Sequence, residues 1–141
     1  MKALLAAAAL SLCALPVLAQ DAGADITFTF QVDQPSGHIM VALFDSEAAY
    51  GGSGGPVRVA RVDASGAVVQ AAFEGLPAGD YAMKAFHDVD DDGQMATNPF
   101  GMPTEPFAFS NNAVGNMGPA GWDRAYFTVT GDTAQTIDLA H

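Results

Sequence analysis

From residue 26 onward, apolar side chains recur at every second position, and no stretch of helical length repeats them at three- and four-residue steps. Ile26, Phe28, Phe30 and Val32 alternate with Thr27, Thr29 and Gln31. A period of two sends alternate side chains to opposite faces, as a half-buried strand requires. The pattern returns at His38 to Phe44, Val57 to Val62, Ala67 to Phe73, Tyr81 to His87, Ala125 to Thr130 and Thr136 to Leu139. Between these runs stand turn formers: Pro35-Ser36-Gly37, Gly51 to Pro56, Ala64-Ser65-Gly66, Leu76 to Asp80 and Gly131-Asp132. Asp45 to Tyr50 suits a single helical turn. Short strands with turn signals at regular spacing predict an all-β fold: a seven-stranded antiparallel β-sandwich of immunoglobulin or prealbumin type. Tyr81, directly after the Pro77-Ala78-Gly79 turn, is placed for a tyrosine corner, its hydroxyl tied back to that turn.

One segment breaks the rhythm. Asp88 to Trp122 shows neither period, and structureless loops of such length are uncommon in compact domains unless functional or disordered. Phe100, Met102, Phe107, Phe109 and Trp122, with few charges after Asp92, argue against disorder. The segment reads as one long ordered loop excursion packed on an end of the sandwich.

The excursion opens with His87-Asp88-Val89-Asp90-Asp91-Asp92-Gly93. Carboxylates at alternate positions repel one another unless a cation or water screens them, and the D-x-D-x-D-G spacing is that of the front half of an EF-hand calcium loop. The back half is missing, because its twelfth position holds Pro99 rather than a bidentate Glu. The expected calcium ligands are Asp88, Asp90 and Asp92, with the backbone carbonyl of Gln94 in the seventh-position role. Glu105, Asn98 and Asp123 are the remaining oxygen donors. The competing reading is a solvated acidic turn that keeps a sheet edge soluble. Glu105 can also serve the loop as an acceptor for its backbone N–H groups.

The stretches Phe73 to Ala82, Phe86-His87-Asp88, Gly101 to Glu105 and Phe109 to Asn112, in that order and spacing, resemble the domain of unknown function 2141 family. These are small secreted bacterial proteins, and the likeness runs from about Gly37 to Leu139, including Trp122 to Phe127. It implies a periplasmic or exported β-sandwich whose activity is not established. The family's acidic loop commonly reads Asp-x-Asn-x-Asn-Gly followed by a further Asp. This chain has Ala96 or Thr97 at that last position, while Asp90 and Asp92 carry full charges in place of amides.

Met1-Lys2 precede an apolar run from Ala3 to Leu18, which ends in Val17-Leu18-Ala19. A basic start, an apolar core and small residues before the cut describe a secretory signal peptide cleaved after Ala19. A retained anchor would need a longer span and a basic stop-transfer flank. Cys13, the single cysteine, follows Leu12 rather than the small residue of a lipoprotein signal. The expected organisation is signal peptide 1–19, a short tether 20–24 and one sandwich domain over 25–141, periplasmic or secreted and without a membrane span after cleavage. Lacking cysteine, that domain can have neither disulfides nor a thiol nucleophile. Loss of Lys2 takes the formal charge from −11 to −12, sixteen acids against Arg58, Arg61, Lys84 and Arg124. Such a surface repels nucleic acid and anionic lipid and favours a divalent cation.

Several residues carry chemistry that has a plainer explanation. His87 faces away from Asp88 by strand alternation, and suits a strand-end histidine bonded to backbone better than a ligand or general base. Met95, Met102 and Met117 offer soft ligands for Cu(I), but their wide spacing reads as apolar filler beneath the loop. Asn111 and Asn112 suit turn positions, since Asn tolerates left-handed backbone. No mature Cys, G-x-S-x-G, H-E-x-x-H or phosphate-binding glycine loop is present, and Ser110 has no evident histidine partner in sequence. The reading is a non-enzymatic binding or structural module of the cell envelope with a calcium-binding acidic loop. The alternatives are a small hydrolase using residues 87–123, and a metal-free partner-binding sandwich displaying Phe100, Phe107 or Phe109 as one apolar patch.

Overall fold

A computed structural model describes residues 23–140. The expected signal peptide, its cut after Ala19 and the first tether residues lie outside the described residues. Among the described residues, no helix is long and apolar enough to cross a membrane.

Among the described residues, eight strands form two sheets. β1 (Ala24–Gln31), β4 (Val68–Leu76) and β8 (Thr133–Asp138) make a three-stranded sheet in the order β4-β1-β8. The second sheet runs β3-β2-β5-β6, from β2 (His38–Phe44), β3 (Arg58–Asp63), β5 (Gly79–Asp88) and β6 (Phe107–Phe109). β7 (Phe127–Val129) pairs with the first three residues of β5. The alternation in β1 has its expected meaning: Ile26, Phe28 and Phe30 are wholly buried between the sheets. They meet Leu43, Phe73, Met83, Val129 and Ile137 in one core. Tyr81 Oη donates to the Pro77 carbonyl at 2.7 Å, so the corner forms.

The sandwich departs from the expected one in three ways. β6 is an eighth strand, three residues long, inside the segment read as loop. β1 and β8 run parallel, so the first sheet is mixed rather than antiparallel. The sixth expected strand begins two residues late, because Trp122–Ala125 close a helical turn (α1) before β7. Ala24 opens β1.

β5 explains how the excursion is held. Its odd-numbered residues Tyr81, Met83 and Ala85 face the core, whereas Ala82 faces a second cluster with Phe44, Tyr50, Phe109, Ala120 and Ala125. The outer face of this sheet is therefore covered. Tyr50, on a π-helical turn over Ala49–Ser53, donates its hydroxyl to the Ala120 carbonyl at 2.7 Å, and burial pushes its pKa up to about 12. Lys84 Nζ lies 4.2 Å from the Tyr50 ring centroid and donates to the Tyr50 carbonyl; burial lowers its pKa. By the same alternation, the end of β5 sends His87 toward the core side and Asp88 toward the covered side.

Candidate metal centre

β5 ends where a fully buried carboxylate begins to fold the chain back on itself. Asp88 Oδ1 accepts the Asp92 N–H at 3.1 Å, and Oδ2 accepts the Gly93 N–H at 2.8 Å. Asp90 Oδ1 accepts the same Asp92 N–H at 3.3 Å, and Asp92 Oδ1 accepts the Gln94 N–H at 2.8 Å. These local bonds wrap the loop around its own acids. The return requires left-handed backbone at Asp91 (φ 60°) and at Gly93 (φ 80°), a conformation open to Gly without a Cβ clash. Gly37 fixes the floor: a Cβ there would meet the Asp88 carbonyl oxygen at 2.0 Å.

Glu105 comes from the far side of the loop, just before β6. Its Oε1 accepts the Val89 N–H and its Oε2 the Ala96 N–H, both at 2.9 Å. It is buried, and it does serve as the backbone acceptor that its position allowed. It also completes a group: one oxygen from each of Asp88, Asp90 and Glu105 lies within 4.8 Å of the others. Asp92 is not one of the three. Asp92 and Gln94 are both exposed, and the Gln94 N–H donates to Asp92 Oδ1. Asn98 Oδ1 accepts the N–H groups of Phe100 and Met102, and Asp123 is exposed on α1.

The charges in this short loop divide sharply. Asp91 Oδ1 is held by His38 Nδ1 at 2.8 Å and by Arg61 Nη2, the two ion pairs found among the described residues. Partial desolvation raises the Asp91 pKa, but the bonds and charges of His38 and Arg61 outweigh it and hold the carboxyl below the usual range. Asp90 moves the other way. Partial desolvation comes first, joined by a hydrogen bond shared with Asp88 and by the charges of Asp92 and Glu105, against the Asp92 N–H bond. The net effect holds Asp90 above the ordinary carboxylate range.

The pattern characteristic of the domain of unknown function 2141 family, described as an uncharacterized protein conserved in bacteria, matches residues 30–138. The chain belongs to this family. No curated protein and no solved structure matches it. In this DUF2141 member, Ala96 or Thr97 stands where the family's further Asp is expected, and the Ala96 N–H is one of the two that Glu105 holds.

The other singled-out residues of the DUF2141 fold have structural work. His87 is 1 % exposed and its Nε2–H donates to the Ser36 carbonyl at 2.6 Å, the strand-end bond expected of it. Ser110 Oγ is buried, accepts the Met83 N–H and donates to the Ala125 carbonyl. Asn111 and Asn112 are left-handed, and Asn112 seals the edge of β8 by donating to the Thr136 carbonyl and accepting the Asp138 N–H. Two of the three methionines are not filler beneath the loop, since Met102 and Met117 are exposed, whereas Met95 is half-buried. Nor is there one aromatic patch, since Phe109 is buried, Phe107 half-buried and Phe100 exposed.

Proposed function

We propose that this DUF2141 member is an exported β-sandwich module that holds a divalent cation, calcium first, on Asp88, Asp90 and Glu105. The observation that carries the reading is the convergence of three carboxylates within 4.8 Å, two of them buried, with no cationic side chain paired to any among the described residues. Like charges this close disfavour one another's ionised forms, in keeping with the upward shift of Asp90. A bound divalent ion would relieve that repulsion. Each oxygen of Asp88 and Glu105 accepts one N–H, and a carboxylate has roughly four acceptor positions, so both keep capacity for a ligand bond. An all-oxygen donor set suits a hard cation far better than soft Cu(I). Export rests on the N-terminal pattern of residues 1–19.

Isothermal titration of the signal-free protein with Ca²⁺, paired with melting curves, tests the site. Heat of binding and a raised melting temperature are expected, and both should vanish in Asp90→Ala. Absence of both at millimolar calcium would leave the group as a self-bonded acidic turn.

Nothing in the geometry favours the hydrolase. The cavity beside His87, lined by Asp33, Gln34, Pro106 and Leu139, is about 10 Å³, room for one water at most. A larger groove of about 390 Å³ lies at the other end of β5, and its lining (Gly23, Ala24, Gly75 to Ala78 and Thr130) carries no titratable side chain.

A further inference from the structure

Beyond the acidic loop, the excursion rises into a hairpin whose chemistry is the reverse of the rest of the molecule. From Gly93 to Thr104 there is no charged residue, in a chain of net charge −11. At its tip Phe100 is 89 % and Met102 63 % exposed, flanked by exposed Pro99 and Pro103. Large apolar side chains offered together to water mark a contact surface more often than a lone exposed residue does.

The backbone says which kind of contact. Asn98 N–H donates to the Met102 carbonyl, Gly101 N–H to the Asn98 carbonyl and Thr104 N–H to the Ala96 carbonyl, each at 2.9 Å. Asn98 Oδ1 accepts the N–H groups of Phe100, at 2.9 Å, and Met102, at 3.1 Å. Pro99 and Pro103 have no N–H to satisfy. Every backbone donor from Asn98 to Thr104 is thus satisfied within the hairpin. Donors satisfied internally lower the cost of moving the tip out of water toward an acyl boundary that is poor in acceptors. A protein pocket gives less advantage to this, since it can supply acceptors of its own. The Thr97–Pro103 bridge sets the shape in advance, so little ordering is required on contact.

The geometry points to the Asn98–Thr104 hairpin as a membrane-contacting tip that seats Phe100 and Met102 at the headgroup–acyl boundary. The lipid is zwitterionic, because the acidic body is repelled by an anionic surface. Two side chains make a weak, reversible attachment rather than an anchor. The inference stands apart from the cation reading.

The test is pelleting of the purified protein with sucrose-loaded phosphatidylcholine vesicles at millimolar lipid, once with calcium and once with chelator. Under either condition, the double variant Phe100→Ser/Met102→Ser is expected to partition at least about tenfold more weakly. Val59→Ser, which removes another exposed apolar side chain from β3, is expected to leave partitioning unchanged. A Phe100→Trp variant supplies a second readout, a blue-shifted emission on adding vesicles and quenching by brominated lipid. Failure of the parent protein to pellet under both conditions would overturn the inference, and so would pelleting that the double variant leaves intact. Tip-dependent binding to a lipid-free protein extract, with none to vesicles, would overturn it in favour of a protein pocket.

Discussion

Asp90 and Asp91 are chain neighbours, yet they sit in opposite electrostatic surroundings. Asp91 turns back to the sheet and meets two basic side chains, His38 on β2 and Arg61 on β3. Asp90 turns toward Asp88 and Glu105, and no basic side chain among the described residues pairs with it. The left-handed turn at Asp91 separates the two directions. One carboxylate therefore pins the loop to the sandwich, while the next helps to build a concentrated negative site that this pinning holds in place.

The contrast can be broken or sharpened by substitution, beginning with the largest effect. Asp88→Ala removes the buried acceptor of two N–H groups as well as a member of the cluster. It should cost about 2–4 kcal/mol of stability in denaturant unfolding and abolish any calcium-dependent rise in melting temperature. Gly37→Ala should be nearly as damaging without touching a charge, because its methyl would collide with the Asp88 carbonyl; the same unfolding experiment measures it. Glu105→Gln keeps one acceptor oxygen and loses the other. It should cost about 1–2 kcal/mol and weaken calcium in titration by at least about tenfold.

Acid should then distinguish the two neighbours. Asp90, raised in the folded state, favours folding below its unfolded pKa, and that contribution is lost as pH rises through the folded value. Asp91, lowered, favours folding above its unfolded pKa, and that contribution is lost as pH falls through its depressed value. A cation held on Asp90 would compete with the proton there, so any calcium-dependent rise in melting temperature should fade on acidification through the raised range of Asp90, before Asp91 is protonated. The smallest effect is expected from Asp91→Asn, which loosens an exposed ion pair but leaves the three-carboxylate group complete. If it abolished calcium binding as fully as Asp90→Ala, the division of labour between the neighbours would be wrong.

The sandwich was largely legible because β1 to β5 are long enough to show a period of two, with Gly and Pro between them. The Tyr81 corner and the backbone bond of His87 were legible for the same local reason. The excursion was not. β6 spans three residues, too few for alternation to register, and its partner on β5 is fixed by packing beneath Phe109. The parallel pairing of β1 with β8 leaves no mark on either strand. Within the loop, the spacing pointed to Asp88, Asp90 and Asp92, with the Gln94 carbonyl and Glu105 as further donors; the fold brings one oxygen each of Asp88, Asp90 and Glu105 together. That grouping depends on a contact between residues 16 and 9 apart along the chain, Val89 and Ala96 with Glu105, which no local pattern encodes.

The pairing of β1 with β8 also bears on how the chain reaches this state. Ile26 lies opposite Thr133 and Gln31 opposite Asp138, so the central strand of the first sheet waits for residues more than a hundred positions later. Contacts of such separation raise contact order and slow folding, because the loop entropy is lost before the contact forms. A chain emerging from its N-terminus would hold Phe28 and Phe30 without their full cover until β8 arrived. Completion of the sheet therefore needs the last strand, and a truncation before Thr133 would leave β1 without its β8 neighbour.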